Sequence, residues 1–169
     1  SFFSNTATYS FTGGHYSYLD VLPERGDIVI DTGIVYKHDF LNGYGELALS
    51  TVALEASVFG VYNEELAPTD MPEVSGLFPV GTSSIGEGYI NVCAENGDIL
   101  LGDYITSSNV PGKGMKQDDD IMHNYTVAKA RESILWEDEV DGENECYLTT
   151  GSDGIDYKTK MIACTYHCG

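Results

Sequence analysis

The amino-acid sequence predicts an all-β fold with little helix: an antiparallel β-sandwich or a barrel-like body, with two related β modules as its candidate subdivision. Three observations carry this expectation. The stretch Gly88 to Ser108 sets two runs that can alternate as strands on either side of Asn96-Gly97. Asn-Gly is the dipeptide that a two-residue type I′ hairpin turn prefers, because both turn positions need positive φ. The chain holds 12 Tyr and 19 Gly against 5 Pro, a balance that suits strands joined by tight turns. Finally, Gly102-Asp103 breaks the second run and Pro111-Gly112-Lys113-Gly114 ends it. Asn96, Gly97, Gly102 and Asp103 are therefore the candidate structural turn residues.

Taken in order, residues 7–22 alternate imperfectly around Gly13-Gly14 and read as two strands. Pro23-Glu24-Arg25-Gly26 is a turn, and Asp27 to Tyr36 reads as strand, kink, strand. Glu46 to Ala56 fits either a helical face or an alternating strand, and Ser57 to Tyr62 is a strand. Residues 63–76 carry acids and prolines with little apolar material, as a surface loop or a boundary between halves would. Residues 121–135 are again open between helix and strand, and Glu137 to Glu145 is an acidic loop. A hairpin closes the chain: Tyr147 to Thr150, a Gly-Ser-Asp-Gly turn, then Ile155 to His167 with the composition of a central strand. The segments Glu24-Arg-Gly-Asp-Ile-Val-Ile and Glu95-Asn-Gly-Asp-Ile-Leu-Leu echo each other. That echo fits two related modules, 1–75 and 76–169, packed as one compact domain, or simply common turn chemistry before an apolar strand.

At 169 residues the chain is long enough to bury a real core. Its charge is lopsided, with 27 acidic against 8 basic residues and a net −19. Such a surface is repelled by nucleic acid and by anionic membranes, so neither is expected as a partner. No apolar run approaches the roughly 20 residues of a membrane helix, and no membrane insertion is expected. The first residue is Ser1 rather than Met, which leads to the expectation of a piece of something longer. Cys93, Cys146, Cys164 and Cys168 do not form a tight disulfide framework, and buried free thiols are the simpler reading. Asn124-Tyr-Thr126 matches the N-glycosylation acceptor pattern, which matters only in a secreting eukaryote.

The residues that could carry chemistry do not assemble into a known pattern. Cys164, His167 and Cys168 lie together, but on a strand His167 points away from the two thiols, a poor zinc geometry. The acidic runs Asp118-Asp-Asp120 and Glu137 to Glu143 offer oxygen atoms for calcium without an EF-hand register. His15 and His38 are the best candidates for a general base, yet no Gly-x-Ser-x-Gly elbow accompanies them. Gly112 to Gln117 fits neither the P-loop nor the dinucleotide fingerprint. No catalytic residue, metal ligand or cofactor is assigned, and an enzyme is not expected.

Three segments nevertheless have a familiar look: Gly86 to Asp120, with Gly-Tyr-Ile-Asn-Val-Cys-Ala-Glu-Asn-Gly-Asp-Ile-Leu-Leu-Gly-Asp at its centre; Tyr125-Thr-Val-Ala-Lys-Ala-Arg-Glu132; and Ile162-Ala-Cys-Thr-Tyr-His-Cys-Gly169. Together they resemble a module of bacteriophage tail-fibre, tailspike and related virion proteins. The first half, through Ser10 to His15, the Gly26-Asp27 strand and Val58 to Val61, looks like the part preceding that module. The resemblance implies an all-β piece of a virion appendage, homotrimeric and outside the cell once assembled. Its implied partners are other virion proteins and a host-surface glycan or protein receptor. Tyr-rich loops would supply stacking faces, and many weak contacts on a multimer would add up to attachment. An enzymatic tailspike domain acting on host polysaccharide, or a self-processing or assembly-chaperone segment cut before Ser1, is the alternative.

Overall fold

A computed structural model describes residues 13–37, 40, 43–67, 69 and 71–168. The chain forms strands β1 (Gly14–Leu19), β2 (Ile28–Lys37), β3 (Gly43–Leu49), β4 (Val58–Glu65) and β5 (Phe78–Ser83). These close into a barrel in the order β1-β3-β2-β4-β5. A second sheet follows from β6 (Ile85–Cys93), β7 (Tyr104–Ser107), β8 (Gly114–Lys116), β9 (Thr126–Ala130), β10 (Tyr147–Thr150) and β11 (Asp156–His167). Its order is β10-β11-β6-β8-β7-β9, and β9 pairs again with β11 at Cys164↔Ala130. The circuit β11-β6-β8-β7-β9 is thereby closed, with β10 on the outside. Helix is limited among the described residues to short 3-10 turns, Ala94–Asn96 and Trp136–Asp138, with Thr69 also in 3-10 conformation. The all-β, barrel-like expectation holds.

Alternation and turn chemistry explain most elements. The kink read in Asp27 to Tyr36 is present: β2 slips register against β3 between Asp31 and Gly33, and again between Ile34 and Tyr36. Glu46 to Ala56 resolves as the end of β3 followed by a loop, and the 121–135 ambiguity resolves as strand at β9. The closing hairpin forms as expected, with β10 paired to β11 from Tyr147↔Thr159 to Thr150↔Asp156. β11 also pairs with β6 along Thr159↔Cys93 to His167↔Ile85, so its apolar run is central. Residues 7–12 and His38 lie outside the described residues.

Several expectations are corrected. Asn96-Gly97 does not make a two-residue hairpin. β6 is flanked by β11 and, in parallel, by β8, so β7 cannot fold back on it. Ala94–Asn96 instead winds one 3-10 turn, and of the pair only Gly97 takes positive φ, at 86°. The Asn96 side-chain amide donates to the Lys116 carbonyl and to Asp118, tying this turn to the end of β8. Gly102 and Asp103 close a separate turn in which the Asp103 N–H donates to the Leu100 carbonyl and Asp103 Oδ2 accepts from the Leu100 N–H.

The sheets are not wholly antiparallel, since β1–β3 and β6–β8 are parallel pairs. A boundary between residues 75 and 76 would detach β5, but hydrogen bonding to β1 and β4 places β5 in the barrel. The changeover between sheets falls at Ser84. Residues 63–76 are not simply a surface loop: β4 runs to Glu65, and Leu66 and Met71 bury themselves against Tyr18. The internal echo has unlike outcomes, because Asp27 leads into the long strand β2 while Asp98 leads only to the single bridge Ile99↔Ile134.

The largest core cluster joins the two sheets. Ile28 and Val61 of the barrel pack with Ile90, Val92, Ile105, Val127 and Ile162 of the second sheet and with Trp136 from the 3-10 turn after β9. The barrel has its own interior of Leu19, Val29, Leu47, Tyr62 and Val80. Each such buried aliphatic side chain contributes about 1.5–3 kcal/mol, so the shared cluster binds the sheets into one body.

Candidate functional site

The most concentrated polar chemistry lies on the seam between barrel and sheet, built from residues remote in sequence. The turn before β2 is closed by the Asp27 N–H donating to the Glu24 carbonyl, and the Glu24 N–H donating back to Asp27 Oδ2. This turn presents Glu24 and Asp27 to the second sheet. The β7–β8 turn reaches toward it: the Ile28 N–H donates to the Gly112 carbonyl, and the Gly112 N–H donates to the Ser50 carbonyl. Ser108 braces the β7–β8 turn by donating its hydroxyl to the Lys113 carbonyl at 2.7 Å. Gly112 takes a φ of 77°, and a Cβ there would sit 2.7 Å from Asp27 Cγ, so only glycine lets the two turns meet.

Lys113 follows directly. Its Nζ donates to Asp27 Oδ1 at 2.6 Å and to Glu24 Oε2 at 3.2 Å, and lies 5.8 Å from the Tyr147 ring centroid. The Lys113 and Asp27 side chains are 3% and 4% exposed, against 62% for Glu24, so the first pair is buried and the second is at the surface. Asn91 on β6 donates its side-chain amide to Asp27 Oδ1 at 2.8 Å and to the Arg25 carbonyl at 3.0 Å. Tyr147 on β10 donates its hydroxyl to Glu24 Oε2. Buried charges persist when paired and hydrogen-bonded in this way.

The electrostatics match the geometry. Burial pushes the Asp27 carboxyl above the usual range, against the opposing pull of Lys113 and Asn91. Glu24 is held below its usual range, chiefly by the Tyr147 hydroxyl and then by Lys113. Tyr147 is pushed up by burial and by the Glu24 carboxylate. The Lys113 ammonium is engaged by two carboxylates and an aromatic face, which makes it a fastener between elements 86 residues apart in sequence at its Asp27 contact.

The other candidates fall elsewhere. His15 on β1 packs its ring 5.1 Å from Phe59, and burial lowers its pKa. His123 pairs through Nε2 with Asp119 Oδ2 at 2.9 Å and stacks on Tyr125, but the nearby Thr126 hydroxyl donates to Gln117 instead. Cys93, Cys146, Cys164 and Cys168 are free, and burial pushes the Cys164 and Cys168 thiols up to about 12. Among the described residues no group of three or more His, Cys, Asp or Glu is placed to hold a metal ion. The acids at 118–119 serve as internal acceptors, Asp118 for Asn96 and Asp119 for Gln117, the Ile121 N–H and His123.

None of Glu24, Asp27, Asn91, Lys113 and Tyr147 was singled out from the sequence. A signal did exist: Lys113 is one of only 8 basic residues and is set between two glycines in an acidic chain. Compared with protein-family models, with curated proteins and with solved structures, the chain matches none.

Proposed function

We propose that this chain is a structural and adhesive module of a virion appendage of the tail-fibre or tailspike kind, assembled as a homotrimer with other virion proteins and exposed to the host surface. What supports the reading is where the resembling segments lie. Gly86 to Asp120, Tyr125 to Glu132 and the run from Ile162 supply β6, β7, β8, β9 and the end of β11, one hydrogen-bonded unit rather than scattered matches. A module that recurs in appendages is expected to be such a self-contained unit.

The physical work of such a module is to stay folded under load while presenting a surface. Closing the two circuits pairs most strands on both sides, with β10 left as the outer strand, which limits unwanted strand pairing between neighbouring particles. The fastened seam keeps the barrel from swinging on the sheet. Net charge −19 keeps copies from adhering nonspecifically. Attachment then comes from several weak contacts acting together on one multimer.

The test is direct. Antibodies raised against the purified chain are expected to label the appendages of intact particles in electron micrographs. The free chain is expected to compete with particles for adsorption to host cells, and native mass measurement should give a trimer. Unlabelled particles together with adsorption indifferent to the free chain would overturn the reading.

A further inference from the structure

Beside the fastened network the seam opens into a cleft of about 350 Å3, within the small-ligand range of roughly 300–1,000 Å3. Arg25, Asn63, Glu87, Tyr89, Met161 and Tyr166 line it, drawn from both the barrel and the second sheet. Its walls are set in place by the fold. Asn91 holds the Arg25 carbonyl, while the Gly26 N–H donates to the Tyr62 carbonyl and the Gly26 carbonyl accepts from the Asn91 N–H. The Tyr166 hydroxyl donates to the Tyr89 carbonyl at 2.6 Å and accepts from the Tyr89 N–H at 2.9 Å, fixing that backbone from both sides.

The donor inventory is mixed in a particular way. Arg25 uses Nε and Nη2 on Asn63 Oδ1, at 3.2 and 3.0 Å, and its remaining N–H donors and the Asn63 amide both stay available at the cleft wall, where Glu87 supplies a charge opposite to that of Arg25. Glu87 accepts from Arg131 through Oε2 and keeps its other oxygen as an acceptor. Tyr89 is 59% exposed and offers a ring face. We propose that this cleft binds a short neutral saccharide segment. Sugar hydroxyls both donate and accept, so they use the Asn63 amide and the Glu87 carboxylate together, and the C–H face of a pyranose packs on a tyrosine ring. The net charge of −19 disfavours anionic ligands, and the polar walls disfavour a purely apolar one. The proposal deepens the appendage reading by naming the receptor chemistry.

The folded chain is to be titrated separately with lactose, maltotriose, di-N-acetylchitobiose, 3′-sialyllactose and a capped neutral tripeptide, following the Tyr89 amide resonance and saturation transfer to the probe. At least one neutral sugar is expected to bind with a dissociation constant of about 1 mM. Tyr89→Ala should weaken it about tenfold, the scale of one lost stacking face, and Asn63→Ala should weaken it as well. Leu148→Ala, outside the cleft, should leave binding unchanged, and circular dichroism checks that each variant is folded. No binding of any neutral sugar up to about 50 mM, an unaffected Tyr89→Ala, or binding only of the sialylated sugar or the peptide overturns the proposal. Labelled particles without sugar binding would sink this site alone, whereas sugar binding with unlabelled, uncompeted particles would sink the appendage reading and leave the site.

Discussion

Lys113 has no water to fall back on. With its side chain 3% exposed and Asp27 at 4%, removing either partner strands a buried charge. Lys113→Met is therefore expected to cost about 3–5 kcal/mol in urea unfolding. The double variant Asp27→Leu/Lys113→Met should recover only part of that, because it removes the stranded charge but leaves the Asn91 amide and the Glu24 N–H without their Asp27 acceptor. A single-variant cost under about 1 kcal/mol would place the pair in a wet environment. The pH dependence divides by sign. Asp27, raised by burial, favours the fold more as pH falls through its raised value. Glu24, held down, contributes stability above its unfolded pKa and loses it as pH falls through its lowered folded pKa. Tyr147→Phe removes the largest cause of the Glu24 shift. Wild type and variant should thus differ in stability at neutral pH and converge once Glu24 is protonated, as urea melts across pH will read. Parallel pH profiles would take Tyr147 out of this account. Two glycines separate strain from collision. Gly97 has positive φ but open space around an added Cβ, whereas Gly112 has positive φ and a Cβ 2.7 Å from Asp27. Gly97→Ala is expected to cost about 1–2 kcal/mol and Gly112→Ala clearly more, in the same unfolding assay.

Among elements, β11 and β2 stand at opposite ends of a stability scale. β11 is bonded to β10, β6 and β9, and its Ile162 and Cys164 lie in the shared core. β2 pairs with β4 only from Ile28 to Ile30, and from Asp31 to Lys37 its residues are exposed. Amide hydrogen exchange should therefore be slowest in β6 and β11 and faster by orders of magnitude in the outer half of β2. Comparable protection along all of β2 would contradict this order. The centrality of β11 was legible in Met-Ile-Ala-Cys-Thr-Tyr, a run without charge that is paired on both edges, although only its Ile162 and Cys164 are fully buried. The outcome at Asn96-Gly97 was not legible. A type I′ preference is a local tendency, and here β8 and β11 already occupy both edges of β6, leaving no place for a returning strand.

For the whole molecule, the shared core and the Lys113–Asp27 fastener predict one cooperative unfolding transition. Trp136 is the single tryptophan; it lies in the shared cluster and is hydrogen-bonded to Asp98 and Gly97, between strands of the second sheet, so its fluorescence reports chiefly on that side, while far-ultraviolet circular dichroism reports both. The two denaturation curves should coincide in the wild type. In Lys113→Met the barrel loses its main polar tie, and the curves should separate with the dichroism changing first. Separate transitions in the wild type would mean that barrel and sheet are independent domains.

The sequence by itself determined the class of fold, the kink in β2, the closing hairpin and the central place of its last strand. Each of these follows from alternation, turn residues or composition within a short window. Only the tertiary structure decided that β1 pairs in parallel with β3, that β5 belongs to the barrel, and that Glu24, Asp27, Asn91, Lys113 and Tyr147 meet. The reason is range: strand partners and the burial of a charge depend on segments tens of residues away, and no local pattern encodes which distant surface will exclude the water.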